Sequence, residues 1–410
     1  MNLRLVLASA ALSTLTMVIS AQSTSMTIVL TGQSMLRSDL RATKPATIPA
    51  LKALLAGDVI FTNLEAAIAQ PGQTIQEGRG FLAPPEALDV LTGIGVNLLA
   101  LAGNHAFDLR EIGIENTIRE ADRRHIVHAG TGRTLTDAAA PAYLQTPQGT
   151  VALIASASGL IAAGGRATAD HAGVNELRVF AGDRQNNATD DLPGAPPNTP
   201  NAEDAQRILN SIREARQHAD IVIVYQHNHV FGPRSFSTIF TEGMPERLAP
   251  NAWLRKWTHD EIDAGADIVI MHGAPLLHGI EIYRGRPIFY DLGNFIYNVP
   301  PTLTYIDEPM AWESVVASVQ FEIGSPVAQR GGQRALKTIT LKPVVLNPIG
   351  DGQPDVHNPY TVNEFLHTRG LPTAATGARA GYILQRVADA SKLFGTRVTI
   401  AGGKGTIGVK

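Results

Sequence analysis

The 410-residue sequence contains no cysteine. That excludes disulfides, thiolate metal sites and cysteine nucleophiles together, and leaves His, Asp, Glu and Asn as the chemistry-bearing side chains. It lacks a basic excess: the formal net charge is −3, with no basic run, which argues against a nucleic-acid partner. It also lacks, beyond its N-terminus, any apolar segment long enough to cross a bilayer. What remains, with 44% hydrophobic residues, is an ordinary globular chain. It is large enough for one α/β domain with additions and needs no disulfides for its core.

The first residues, "MNLRLVLASAALSTLTMVISAQ", place Arg4 before an apolar stretch that ends in small residues at Ser20 and Ala21. This is the pattern of a cleaved secretory leader over residues 1–21. It predicts an exported protein: periplasmic, bound to the cell envelope or secreted.

Four segments share one design, a short β-branched apolar run that ends in polar residues. They are 58–65 (DVIFTNLE), 96–105 (VNLLALAGNH), 219–229 (ADIVIVYQHNH) and 266–272 (ADIVIMH), and 26–35 (MTIVLTGQSM) makes a fifth. Such continuous runs read as strands covered on both faces, as in a largely parallel sheet. Amphipathic helices are predicted between them over 85–95, 202–217 and 245–264, so the chain alternates strand and helix. Residues 183–203 read as a polar, proline-rich surface loop. It contains the sequon Asn187-Ala188-Thr189, which matters only in a eukaryotic source. From about Ala317 the runs SVVASVQFEI and ALKTITLKPVVLN alternate as antiparallel strands, and a helix follows over 376–392.

In open α/β sheets ligands bind at the carboxyl ends of the strands. Here those ends deliver Asn63 and Glu65, Asn104 and His105, His227 and His229, and His272 and His278. A lone strand-end histidine is usually structural, but four ends that converge on imidazole, amide and carboxylate suit Mn, Fe or Zn, as one or two ions. His125, His128, His171, His218, His259, His357 and His367 are read as structural. Asp108 has two readings, a carboxylate that orients an imidazole or a helix cap.

The stretches FTNLE, ALAGNHAFDLREIGIENT, HAGTGR, VYQHNHVFG and GADIVIMHGAPLLHGIEIYRGRPIFYDLGNF occur in an order that resembles the CapA-type proteins of poly-γ-glutamate capsule synthesis. That family is related to the calcineurin-like metallophosphoesterases, and the similarity runs from about Met26 to about Asn298. The resemblance implies a four-layer α-β-β-α sandwich over 26–316. Residues 317–410 would form a small β-rich extension that is part of the same domain or packed on it. It implies a two-metal centre with Glu65, Asn104, His227 and His272 as ligands, His105 as the outer imidazole, and Asn63 and Asn294 at the cleft. The sequence departs from the family twice. Gln33 stands where an aspartate ligand is usual, and His272-Gly273-Ala274-Pro275 lacks the second histidine of the closing motif, for which His278 or His229 could substitute.

Three functions follow as expectations. The first is a metal-dependent hydrolase of a γ-glutamyl or peptide-like amide bond, with His105 and Asp108 as its proton-handling pair. The second is a phosphoesterase, and the third a non-catalytic polymer-handling factor. The partners implied are a small-molecule or polyglutamate-like substrate and capsule-synthesis proteins of the membrane. Arg79 and Arg234 could bind phosphate or carboxylate equally.

Overall fold

The computed structural model describes residues 24–75, 80–187, 194–232, 249–298, 309–324, 334–346 and 370–408. The predicted leader, Arg79 and Arg234 lie outside these residues.

Two sheets organise the chain. The first runs, in spatial order, Thr399–Ala401, Lys404–Gly408, Arg334–Val345, Glu313–Ile323, Thr24–Leu30, Val59–Asn63, Leu98–Ala100 and Val127–Ala129, with Thr373–Ala374 beside Arg334–Val345. The second runs Ile280–Tyr283, Arg286–Phe289, Ile268–His272, Ile221–Asn228, Gly149–Ser158 and Ala142–Thr146. Both are mixed, not largely parallel. Thr24–Leu30 pairs in parallel with Val59–Asn63 but antiparallel with Glu313–Ile323. The C-terminal strands therefore continue the first sheet.

Side-chain alternation explains the cores. Ile28, Leu30, Val59, Phe61, Leu98 and Ala100 of the first sheet share one buried cluster with Leu153, Ala155, Ile221, Ile223, Tyr225, Ile268 and Ile270 of the second. The intervening residues face outward. Val29, Ile60 and Leu99 join Leu88 and Leu91 of the helix Glu86–Gly93. Val222, Val224 and Val269 join Ile208 and Ile212 of the helix Ala202–His218, and Trp257 of the helix Ala252–Ala264.

Local chemistry sets the helix ends. Asn201 caps the first turn of Ala202–His218 by accepting from the N–H groups of Glu203 and Asp204. Ala252–Ala264 stops at Gly265, whose φ of 126° other residues rarely adopt. At the edge opposite the strand carboxyl ends, buried Asp267 binds Arg216 and Arg286 of the second sheet's side, and Arg334 of the first. That carboxylate ties the two sheets together.

Three further expectations change. The 26–35 run is two strands, Thr24–Leu30 and Gln33–Met35. It breaks at Gly32, where a Cβ would sit 2.1 Å from the Gly293 carbonyl oxygen. The 183–203 segment contains two short strands: Arg184–Gln185 and Asn198–Pro200 pair with Val179–Ala181. The helix predicted from 245 is seen over Ala252–Ala264.

Candidate metal centre

The same alternation aims the strand ends. Asn63 continues the parity of Val59 and Phe61, His227 that of Ile223 and Tyr225, and His272 that of Ile268 and Ile270. All three turn into the space between the sheets at their carboxyl edge, where His227 and His272 sit side by side in parallel register. Glu65 follows, its backbone N–H donating to the Ser34 carbonyl at 3.0 Å.

Glu65, His227 and His229 form one buried group whose ligand atoms lie within 4.8 Å of one another. His227 Nε2 is 3.9 Å from Glu65 Oε1, too far for a hydrogen bond. His227 Nε2, Glu65 Oε2 and Asn104 Oδ1 are buried without hydrogen-bond partners. Buried polar atoms in folded proteins nearly always have partners, so this donor set fits a cation. Burial, then the neighbouring histidines, holds His227 well below its ordinary pKa. Burial takes His229 down to about 3, against a backbone hydrogen bond to Gly273. Both rings are neutral at physiological pH, the form that binds metal. Burial pushes Glu65 up to about 7. Tyr225, fully buried between Phe61 and His272, places its hydroxyl 3.1 Å from His227 Nδ1.

Beside this group stands a second pair. His105 Nδ1 lies 2.6 Å from Asp108 Oδ2, which also accepts from the Phe81 N–H at 2.6 Å. The following helix, Arg110–Asp122, has no side-chain cap, so Asp108 faces the imidazole. Gly80 permits this approach, since a Cβ there would be 2.7 Å from Asp108 Oδ2. Burial opposes charge on His105, yet the hydrogen bond and charge of Asp108, with Glu65, raise its pKa. Arg37 lowers it somewhat, and its guanidinium stacks 4.0 Å above the Phe81 ring.

The remaining predicted residues spread around the cleft. Asn63 Oδ1 accepts from the Ser34 N–H and contacts His272 Nδ1 at 3.1 Å, while His272 Nε2 meets the Thr31 carbonyl at 3.0 Å. Gln33 Nε2 donates to Asn294 Oδ1 at 2.7 Å, and its Oε1 accepts from the Gly273 N–H. His278 is buried, its backbone N–H donating to the Asp291 carbonyl at 3.2 Å. Neither His272 nor His278 is in the three-residue group. Of the histidines read as structural, His128 pairs with Asp122, His171 with Glu111 and His259 with Glu281.

Sequence reasoning missed Asp291, Arg37 and Tyr225. Asp291 follows the apolar strand Arg286–Phe289, the same signal that marked the histidines, and is buried with its pKa raised well above normal, by burial first.

The family described as "Bacterial capsule synthesis protein PGA_cap" matches residues 27–299. The chain belongs to that family. The "Uncharacterized protein y4sH" of Sinorhizobium fredii is 28% identical over 436 residues, covering 86% of each chain. The "PGA biosynthesis protein CapA" of Bacillus subtilis is 29% identical over 52% of this chain and 46% of its own length. The "Capsule biosynthesis protein CapA" of Bacillus anthracis is 23% identical over 53% of this chain and 44% of its own. The PGA_cap match spans every residue of the three-residue group and of the His105–Asp108 pair.

Proposed function

We propose that this chain is an exported, metal-dependent hydrolase that serves capsule or poly-γ-glutamate metabolism and cleaves a γ-glutamyl or peptide-like amide bond. The observation that carries the reading is the buried Glu65–His227–His229 group, with unpartnered donor atoms, beside the His105–Asp108 pair. Family membership supplies the context. The layering of outer helices on two packed sheets supports a four-layer α-β-β-α sandwich of the calcineurin-like type. Position 316 falls inside the strand Glu313–Ile323, whose pairing with Thr24–Leu30 and Arg334–Val345 supports 317–410 as part of the same domain as 26–316.

Glu65, His227 and His229 would hold a divalent cation, Mn, Fe or Zn, with Asn104 as a further donor. Such an ion supplies Lewis acidity and makes water more acidic. The chain's own residues do the rest. Tyr225 fixes the His227 ring through Nδ1, as outer hydrogen bonds commonly do for ligating histidines. The hydrogen bond and charge of Asp108 raise the His105 pKa, which favours the protonated form that would donate to a departing amine. Arg37, stacked on Phe81 and electrostatically coupled to His105, is placed to meet a carboxylate of a polyglutamate chain. That cation would equally receive a phosphate, so assays must separate the two reactions.

The test is turnover of glutamyl oligomers and of phosphate monoesters by the chain supplied with Mn²⁺ or Zn²⁺, alongside His105→Ala and His227→Ala. Amide cleavage that both variants lose is expected. Cleavage of phosphate esters alone would redirect the reading to a phosphoesterase. A chain that binds no ion and turns over neither substrate would leave the polymer-handling role.

A further inference from the structure

The carboxyl groups around the cleft are not equivalent. Asp108 is engaged by His105 and by the Phe81 N–H. Asp291 accepts the Ala274 N–H on Oδ2 at 3.0 Å and the Gly293 N–H on Oδ1 at 2.7 Å, so the backbone takes both its oxygens. Of these three carboxyls, only Glu65 presents a buried oxygen without a partner.

Gly273, whose backbone meets the His229 ring, begins a continuous chain of committed polar groups. The Gly273 N–H donates to Gln33 Oε1 at 3.2 Å, Gln33 Nε2 donates to Asn294 Oδ1 at 2.7 Å, and Asn294 Nδ2 donates to the Ala311 carbonyl at 2.9 Å. The Gln33 backbone N–H is taken up by the Gly293 carbonyl at 2.9 Å. Gln33 and Asn294 are almost wholly buried, so breaking this chain would strand polar groups away from water. His272 is held on the same side by its contacts with the Thr31 carbonyl and Asn63.

Two divalent ions in a paired site lie about 3.5–4 Å apart. They repel four times as strongly as two unit charges at that distance, and carboxylates are what offset the repulsion in a cleft of low dielectric. Of the three carboxyls here, only Glu65 has a buried oxygen that no hydrogen bond engages. At position 33, beside Gly273, the side chain is a neutral amide already satisfied at both ends.

We infer that this chain builds a one-ion centre, in which Glu65, His227 and His229 hold a single divalent cation and the chain Gly273–Gln33–Asn294–Ala311 closes the adjoining half of the cleft. The inference rests on the metal reading above, and the count of ions tells the two apart.

The experiment uses the full chain, stripped with chelator, saturated with Mn²⁺ or Zn²⁺ and freed of excess ion. Bound metal is counted by elemental analysis, and the Mn²⁺ form is examined by electron paramagnetic resonance. One ion per chain is expected, with the spectrum of an isolated Mn²⁺, and His227→Ala should lose it. Two ions per chain with a spin-coupled spectrum would overturn the inference and leave the metal reading standing. No bound ion would overturn both. Gln33→Asp removes the donor to Asn294 and adds a carboxylate, so it should raise the count to two. A folded Gln33→Asp that still binds one ion would show that the amide is not what closes the second position. If that variant does not fold, the count on the parent chain still decides.

Discussion

His105 Nδ1 and Asp108 Oδ2 are 2.6 Å apart across one turn of chain, and the same carboxylate oxygen takes the Phe81 N–H. The pair is one-quarter and one-tenth exposed, His105 and Asp108 in that order, so its charge is only partly screened by water. The Asp108 carboxylate raises the pKa of His105, whereas burial lowers those of the deeper His227 and His229. One cleft thus contains imidazoles shifted in opposite directions: a hydrogen-bonded carboxylate outweighs burial at His105, while at His227 and His229 burial prevails and Glu65 makes no hydrogen bond to His227.

Asp108→Asn should expose that division. The amide can still accept from the Phe81 N–H, but the negative charge is gone, so the His105 pKa should fall. With His105 as the proton donor of the proposed hydrolase, the high-pH limb of the activity profile should move to lower pH. Turnover at neutral pH should drop about 10²–10⁴-fold, the usual contribution of a general acid. Titration of the His105 ring by NMR checks the first claim directly, and an unmoved pKa would refute it.

Glu65 gives a stability signature with a definite sign. Its folded pKa, about 7, lies above its ordinary 4.5. In the metal-free chain its neutral form is favoured below pH 4.5, and that stability is lost as the pH rises through 7. Glu65→Gln has no charge to bury. Stripped of metal, the variant should match the parent near pH 4 and exceed it by about 3 kcal/mol at pH 8. Urea unfolding at the two pH values measures this. Parallel curves would mean that Glu65 is solvated or paired after all.

Much of this was legible in the sequence, for a physical reason. Runs such as Ile221–Tyr225 are buried on both faces, so hydrophobicity alone marks them as strands, and alternation then fixes which way His227 and His272 point. Partners were not legible. Nothing in the string Gly32-Gln33 says that the amide will bridge Gly273 and Asn294, some 240 and 261 residues away. Asp108 could cap a helix or hold His105 until the position of Phe81 was known. The break at Gly32 depends on the approach of Gly293, a contact that no local propensity encodes. Asp291 was legible and overlooked, since an acidic residue just after an apolar strand was the very pattern in use.

Tyr225→Phe tests the support beneath the three-residue group. The ring keeps its packing against Phe61 and His272 and loses only the hydroxyl beside His227 Nδ1. Removing such an outer partner typically weakens metal affinity about 10–100-fold. Calorimetric titration with Zn²⁺ should show that loss with unchanged thermal unfolding of the metal-free chain. Unaltered affinity would mean that the hydroxyl does not orient His227.

Arg37 carries the final prediction, because its charge acts on His105 and, in the proposed function, would meet a substrate carboxylate. Its guanidinium lies 4.0 Å over Phe81, whose ring in turn lies 5.8 Å from the ring of His105, and its charge opposes protonation of His105. Arg37→Met keeps a side chain able to cover Phe81 but removes the cation. The His105 pKa should therefore rise, opposite to the effect of Asp108→Asn, and the high-pH limb should move up. At the same time KM for a carboxylate-bearing substrate should increase, by about tenfold if one charge-assisted contact of roughly 1.5 kcal/mol is lost. Arg37→Lys keeps the charge without the flat stacking group and should restore the pKa more fully than KM. NMR titration and steady-state kinetics on the three proteins separate these effects. A methionine variant with unchanged KM and unchanged His105 pKa would reduce Arg37 to packing on Phe81.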